Sequence, residues 1–207
     1  MSNYHVGSWP ILDYVGPGRF RNLFSGPFSF KKFCNKLDKL ASVLSNISFD
    51  AFSLPSMSSK RQRKNYIIGT SFELFIYLLY LSSRHFNDKF ILPADFYMPL
   101  QGIEDSGIDA LVYNENSGLG AVQIKFRGNP NHVFDLSDDK LYNFLNTSYK
   151  RSVNNLYLVT NTLATESPDS SIAIVNGKDI HTFISNSATE YQQFMVWLID
   201  TYNISNR

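Results

Sequence analysis

The sequence predicts an α/β fold in which a mixed β-sheet is flanked by helices. Three observations point to this class. Helical periodicity dominates the first part of the 207-residue chain, short apolar runs separated by turn residues follow it, and an amphipathic segment closes the chain. The predicted element order is α-α-β-β-β-α-β-β-α, and the length fits one compact domain with a small appendage.

The N-terminal part predicts an arm and two helices. Residues 1–30 are rich in Gly, Pro, Ser and aromatic residues without a sustained period, which predicts an irregular arm or lid. Residues 30–49 place apolar side chains at helical spacing, and residues 65–83 form the second predicted helix. We therefore divide the chain into an N-terminal arm and helical extension, residues 1–64, and a core domain, residues 65–207.

The second helix contains the longest apolar run of the chain. Tyr66 to Leu81 is 16 residues long and includes Glu73, whereas a membrane span needs about 18–20 apolar residues. A buried core helix is therefore predicted. The N-terminus lacks the pattern of a signal peptide, and the single cysteine, Cys34, excludes an intrachain disulfide. We expect an intracellular protein that is neither secreted nor bound to a membrane.

The rest of the chain predicts a sheet with one internal helix. The predicted elements are strands at 89–97, 107–113 and 121–126, a helix at 135–151, strands at 155–160 and 171–175, and a closing helix at 191–202. The second and third strands form a hairpin, because Asn and Gly residues separate two β-branched runs. The last two strands are continuous apolar runs, which favours burial on both faces.

Charge excludes one function class and restricts another. The formal net charge is only +1, so the protein is no polycation, and nucleic-acid binding requires a local basic patch. The candidate phosphate contacts are Lys60, Arg61, Arg63, Lys64, Arg127, Lys150 and Arg151. A solvated basic face explains the run at 60–64 equally well.

The hairpin brings together three groups that suit metal-assisted hydrolysis. Asp109 lies in an apolar strand, and Gln123 and Lys125 share one face of the partner strand. Carboxylate and amide oxygens suit Mg²⁺, which lowers the pKa of a bound water and offsets charge on a phosphate. A lysine beside them would position the attacking water and stabilise the transition state.

Glu73 is the second candidate carboxylate. Its predicted helix face includes Gly69, Thr70, Tyr77 and Tyr80. A carboxylate in such an apolar helix needs either solvent or a partner.

These residues resemble the motifs of the PD-(D/E)XK nuclease superfamily. The helix with Glu73, the strand segment 107–110 (GIDA) and the segment 122–125 (VQIK) follow the family's order. The Q-x-K form is similar to the catalytic domains of Mrr-type restriction endonucleases. Downstream, residues 156–161 and 171–180 resemble the family's next core strand and its last strand with the following turn.

The resemblance implies a restriction-endonuclease-like fold and a metal-dependent DNA endonuclease of restriction, homing or junction-resolving type. It implies metal ligation by Asp109 and Glu73, with the Gln123 amide and the Ile124 main-chain carbonyl as further ligands, and a catalytic role for Lys125. The implied cofactor is Mg²⁺, with Mn²⁺ as a substitute, and the implied assembly on DNA is a homodimer. Gln123 replaces the family's commoner acidic residue, so we expect weaker metal affinity.

Two other functions stay open on the sequence alone. One is a catalytically silent nucleic-acid-binding module that keeps the nuclease fold. The other is a structural or partner-binding protein that uses residues 1–30 as its contact. A cross-strand ion pair between Asp109 and Lys125 is the structural alternative for those two residues. Glu104 and Asp105 are either solvated loop charges or, for Asp105, a substitute ligand.

Overall fold

The computed structural model describes residues 9–47, 49, 57–100, 107–138 and 141–205, with side chains up to residue 202. The helices in these ranges are α1 (Pro10–Val15), α2 (Pro17–Arg21), a 3-10 turn (Asn22–Phe24), α3 (Phe30–Leu44), α4 (Lys60–Phe86), α5 (Leu141–Lys150), α6 (Gly177–Ser185) and α7 (Ala188–Ser205). The strands are β1 (Phe96–Pro99), β2 (Ala110–Asn114), β3 (Gly118–Lys125), β4 (Asn155–Thr160) and β5 (Ile172–Val175).

The chain divides into two compact units. The first unit combines Met1–Phe86 with Ile184–Arg207, and the second unit is Asn87–Phe183. The first unit is helical in its described residues, and the second contains the whole sheet. The boundary predicted between residues 64 and 65 falls inside α4.

Residues 10–24 of the predicted arm are largely helical and bury several apolar side chains, so the expectation of an irregular arm is wrong there. α1 and α2 begin at Pro10 and Pro17, positions that suit proline because a helix leaves its first N–H groups without partners. Trp9, Phe20 and Phe24 are fully buried. The two helices have six and five residues, too few for helical periodicity to appear in the sequence.

α3 keeps the predicted apolar stripe but ends earlier than expected. Phe30, Phe33 and Leu37 are buried, as the helical spacing predicts. Helix α3 ends at Leu44, and the side chain of Val43 is 66% exposed, so the stripe does not continue towards Phe49.

α4 starts five residues before the predicted position because a capping box fixes its N-terminus. Ser59 Oγ accepts a hydrogen bond from the Gln62 N–H at 3.1 Å, and Gln62 Oε1 accepts one from the Ser59 N–H at 3.2 Å. The basic run therefore forms the first turns of the helix. α4 is long and apolar enough to span a bilayer by composition, but 72% of its apolar window is buried inside the protein, as in a core helix.

The second unit confirms the predicted α/β class with a mixed sheet. The strand order is β1-β2-β3-β4-β5. The first three strands are antiparallel neighbours, and β3, β4 and β5 are parallel neighbours. Parallel strands need a crossover connection, and α5 supplies it between β3 and β4.

Two sequence expectations for the last strands fare differently. β4 has the predicted bounds, Asn155–Thr160. β5 lies at the edge of the sheet and exposes Ala173, so the prediction of burial on both faces is wrong for this strand.

Helix α6 was not predicted from the sequence, although two residues at its start form a cap. Asn176 Oδ1 accepts the Lys178 N–H at 2.9 Å, and Asp179 Oδ2 accepts the Asn176 N–H at 2.9 Å.

One face of the sheet carries the core of the second unit. The buried residues of this cluster are Ile108, Ala121, Phe134, Leu141, Phe144, Leu145, Val153, Leu156, Leu158 and Ile172. Three of them belong to α5, so this helix covers the face that Ala121 presents. Because alternate residues of a strand share a face, Gln123 and Lys125 continue the same face beyond Ala121.

Candidate functional site

The candidate site lies at the sheet edge where β3 and β4 end. Gln123 pairs with Leu158 of β4, and Lys125 pairs with Thr160, the last residue of that strand. The face that begins with apolar Ala121 therefore ends in an amide and an ammonium. Lys125 is half-buried, whereas Thr160 is fully buried.

Gln123 is the most unusual side chain of this edge. Its side chain is 0% exposed, and neither Nε2 nor Oε1 has a hydrogen-bond partner among the described residues. A buried amide without partners costs free energy, because it has lost its hydrogen bonds to water. Such an exception in a folded protein requires an explanation, and a bound ion is one of the ordinary explanations.

Asp109 lies on a β-bulge just before β2. Ala110 pairs with Val122 in the ladder, and the Asp109 N–H also donates to the Val122 carbonyl at 2.9 Å. Ile108 and Leu111 both pack on the α5 side of the sheet although they are three residues apart, which a regular strand does not allow. Bulges of this kind redirect a side chain and are common beside active sites.

The bulge aims the Asp109 carboxylate at the main chain of Ile124. Oδ2 accepts a hydrogen bond from the Ile124 N–H at 2.6 Å. In an antiparallel ladder the N–H and C=O of one residue point to the same neighbouring strand. The Ile124 carbonyl therefore points to the side on which Asp109 lies. The sequence predicted that Asp109 and Lys125 belong together, and the structure links Asp109 to the residue between Gln123 and Lys125.

The donor atoms at this edge are of the kind that a hard divalent cation prefers. A carboxylate from Asp109, an amide oxygen from Gln123 and a main-chain carbonyl from Ile124 are all oxygen ligands, and Mg²⁺ commonly combines one or two carboxylates with waters. The described residues contain no group of three or more His, Cys, Asp or Glu side chains that could hold a metal ion, so any such site depends on the amide and the carbonyl. Glu104 and Asp105, the alternative ligand, lie outside the described residues.

Glu73 belongs to the first unit, whereas the other candidate ligands belong to the second. It lies half-buried on α4, which is helical here as predicted, so Glu73 shares a face with Gly69, Thr70, Tyr77 and Tyr80. Tyr66 lies two turns earlier on the same helix. Burial raises the pKa of Tyr66, a hydrogen bond with Thr70 lowers it, and the negative charge of Glu73 raises it further. Glu73 is thus close to Tyr66 on its own helix.

Arg127 lies two residues beyond Lys125 and is held by three groups. Its main-chain N–H donates to Asn161 Oδ1 at 2.7 Å, and the Asn161 amide donates back to the Arg127 carbonyl at 2.8 Å. Its guanidinium lies 5.2 Å from the centre of the Phe134 ring and 3.6 Å from Asp138 Oδ1. Arg127 is therefore positioned at the same edge as Lys125, but its charge is shared with a carboxylate.

Lys150 and Arg151 lie at the other end of the sheet. α5 runs back from the end of β3 to the start of β4, so its C-terminal residues lie where the parallel strands begin. A hydrogen bond of 2.9 Å from the Tyr149 hydroxyl to Ser171, which precedes β5, agrees with this position. The structure therefore separates these two basic residues from Lys125, and Lys150 instead complements the C-terminal end of the α5 dipole.

The basic run at the start of α4 splits into two pairs. Arg63 donates from Nε to the Ser45 carbonyl and from Nη1 to the Met57 carbonyl, both at 2.9 Å. Lys64 forms an ion pair of 2.9 Å with Asp38 of α3. Lys60 and Arg61 are exposed. Two of the four predicted phosphate contacts therefore stabilise the first unit, and two lie on its surface.

Sequence reasoning missed the polar residues that follow β4 and the loop after β3. Asn161 holds the Arg127 main chain, and Asp138 binds both Arg127 and His132. Their positions in the sequence could have indicated this role, because polar residues that directly follow parallel strands gather at one edge of the sheet.

Comparison with known proteins identifies no relative of this chain. No family model matches it, and no curated protein and no solved structure shows significant similarity to it. The geometry of the described residues is therefore the basis for a functional proposal.

Proposed function

We propose that this protein is a metal-dependent DNA endonuclease with a restriction-endonuclease-like fold that hydrolyses phosphodiester bonds. The observation that carries the proposal is the buried Gln123 amide without partners, next to a main-chain segment that the Asp109 carboxylate already binds. The order of the elements supports it, because it agrees with the order of the motifs in the nuclease family that the sequence resembles. The helix with Glu73 comes first, the β2–β3 hairpin with Asp109 and Lys125 follows, and a crossover helix then leads to a parallel strand.

In this proposal, Asp109, the Gln123 amide oxygen and the Ile124 carbonyl, all of the second unit, would hold Mg²⁺, or Mn²⁺ in its place. The ion would lower the pKa of a water molecule and offset charge on the phosphate. Lys125 positions the attacking water and donates to the phosphate oxygen that gains charge. Lys60 and Arg61 contact DNA phosphates, and two copies of the chain cut the two strands.

The second candidate is a silent nucleic-acid-binding module. It is favoured by the same Asp109 hydrogen bond, which also serves a structural purpose because it satisfies the Ile124 N–H beyond the end of the ladder. Gln123 contributes no charge to a metal site, which agrees with lost catalysis. This function predicts DNA binding without cleavage.

A nicking assay separates the two. Supercoiled plasmid and a panel of linear and branched DNAs would be incubated with the protein and Mg²⁺ or Mn²⁺, and then with EDTA. We expect metal-dependent nicking that is lost in folded Asp109→Ala and Lys125→Ala proteins and retained in Lys89→Ala, which removes an exposed lysine of the same unit. DNA binding without nicking on any substrate would instead support the silent module. Nicking that survives both substitutions would contradict the assigned site.

A further inference from the structure

A histidine–aspartate pair lies at the same sheet edge as the candidate site. His132 Nε2 is 3.2 Å from Asp138 Oδ2, and Arg127 binds the other oxygen of the same carboxylate at 3.6 Å. The three side chains are each less than one-third exposed. They come from the connection between β3 and α5, which begins directly after Lys125.

The protonation of His132 follows from its partner. An ionised carboxylate only accepts hydrogen bonds, so Nε2 carries the hydrogen that it donates to Asp138. Nδ1 is then the nitrogen that gains or loses a proton. An aspartate bound in this way fixes the tautomer and orientation of an imidazole and stabilises its protonated form.

The surroundings hold the pair in place at the edge. The His132 and Phe134 rings are nearly perpendicular, with centroids 4.8 Å apart, and Arg127 lies over the Phe134 ring. Phe134 belongs to the buried cluster that includes Ile108, the residue before Asp109. The Leu163 N–H, after β4, donates to the Pro130 carbonyl at 2.7 Å and fixes the loop on its other side.

Three charged groups of the described residues face His132. Asp138 binds it directly, Arg127 shares that carboxylate, and Asp135 is close enough that His132 contributes to the lowered pKa of Asp135, whose main cause is the hydrogen bond from Ser137. Two carboxylates and one guanidinium therefore surround the His132 ring.

We propose that His132 is the general acid of the cleavage reaction and that Asp138 is its positioning residue, an inference that rests on the proposed nuclease function. Water attacks the phosphorus, and the bond from phosphorus to the leaving oxygen breaks with its electron pair on that oxygen. Nδ1 of protonated His132 gives its proton to the leaving oxygen, the attacking water releases a proton to solvent, and His132 is reprotonated from solvent. DNA leaves with a hydroxyl on one end and a phosphate on the other.

The test compares leaving groups. Single-turnover cleavage would be measured with Mg²⁺ on an oligonucleotide duplex and on the same duplex with sulfur in place of the bridging oxygen that leaves, which the ends of the wild-type products identify. A sulfur leaving group needs no protonation. We expect His132→Gln to slow cleavage of the oxygen substrate by about 10²–10⁴-fold and to cleave the sulfur substrate at nearly the wild-type rate.

Two further variants separate catalysis from folding. Asp138→Asn should produce a smaller loss with the same sulfur rescue. The alkaline limb of the kcat/KM profile should be lost in His132→Gln and kept, at a changed pH, in Asp138→Asn. His181→Gln, which removes an exposed histidine of the same unit, should behave like the wild type.

Each contrary outcome has a distinct meaning. His132→Gln with the wild-type rate, or with an equal loss on both substrates, would overturn the general acid and leave the nuclease function standing. A wild-type protein that cleaves neither substrate would overturn the nuclease function and this role with it.

Discussion

The Asp109 carboxylate binds the main-chain N–H of Ile124 at 2.6 Å across the end of the β2–β3 ladder. This bond crosses from a bulge to the strand that carries Gln123 and Lys125. One carboxylate therefore fixes the geometry of the edge whether or not a metal is bound. Its removal should affect stability as well as activity.

Asp109→Ala should lower the free energy of unfolding by about 1.5–3 kcal/mol, the usual range for a hydrogen bond to a charged group. The reason is that the Ile124 N–H, in a buried residue, loses its acceptor. Urea denaturation at constant m would measure the change. Asp95→Ala is the matched control, because Asp95 Oδ2 accepts the Glu115 N–H at 2.8 Å in an exposed position. Equal losses in both variants would contradict a special role of the Asp109 bond.

Substitutions of Gln123 should change the stability of the metal-free protein and its stabilisation by Mg²⁺ in opposite directions. Gln123→Leu should leave the metal-free protein equally stable or more stable, because it removes a buried amide without partners. Gln123→Glu should destabilise the metal-free protein, because it buries a charge, and should increase the stabilisation by Mg²⁺.

Thermal unfolding with increasing Mg²⁺ measures both effects. We expect the Gln123→Glu protein to gain most from Mg²⁺ and Gln123→Leu to gain nothing. A Gln123→Glu protein that ignores Mg²⁺ would contradict a metal site at this edge.

The sequence predicted the pairing of strands but not the detail that positions Asp109. Alternation correctly placed Gln123 and Lys125 on one face, since the period of a strand is fixed. It did not reveal the bulge at Asp109, because a bulge is defined by the carbonyl to which the extra residue donates its N–H, and the sequence does not show that pairing.

The short helices at the N-terminus were missed for a different reason. α1 and α2 each complete less than two turns, so their apolar residues show no period, and tertiary burial rather than propensity stabilises them. The roles of Arg63 and Arg127 could not be predicted from the sequence either, because their partners are main-chain carbonyls and side chains that are distant along the chain.

Gly177 should be the least replaceable glycine of the site edge. A Cβ there would lie 2.5 Å from the Asn161 carbonyl oxygen, while the Gly177 N–H donates to the Thr162 carbonyl at 2.7 Å. We expect Gly177→Ala to lower the unfolding free energy by about 1–3 kcal/mol, as overpacking does. Gly128→Ala is the control, because nothing lies within 4 Å of its added Cβ. Chemical denaturation of the two variants decides, and a tolerated Gly177→Ala would contradict this close approach.

Cys34 should make stability fall at alkaline pH. Burial raises the pKa of its thiol to about 12, whereas an unfolded cysteine has a pKa of about 8.5. The native state therefore keeps its proton when the unfolded chain has lost it, so this contribution is complete below about pH 8.5 and is lost as pH rises towards 12. Burial raises the pKa values of Tyr66 and Tyr77 as well, and they add to the fall above their ordinary pKa of about 10.

Alkylation reports on the Cys34 thiol separately from the tyrosines. At pH 8, iodoacetamide should modify native Cys34 at least about tenfold more slowly than the thiol of the urea-unfolded chain, because the thiolate fraction is far smaller. Between pH 8.5 and 10, Cys34→Ala should show a weaker loss of stability than the wild type. Rapid alkylation of the native protein at pH 8 would contradict the raised pKa.

Arg61 and Arg63 should separate DNA binding from stability, although they are two residues apart. Arg63→Ala should cost about 1–3 kcal/mol of stability, because its guanidinium donates to the carbonyls of Ser45 and Met57. Arg61 is exposed, so Arg61→Ala should change stability by less than about 0.5 kcal/mol. If Arg61 contacts a phosphate, its removal should reduce the slope of log K against log salt by about 0.9 for duplex DNA. Fluorescence anisotropy with labelled duplex from low to moderate salt, without metal, measures that slope. An unchanged slope in Arg61→Ala would remove Arg61 from the DNA interface, whereas Arg63 and Lys64 would keep their role in stabilising the first unit.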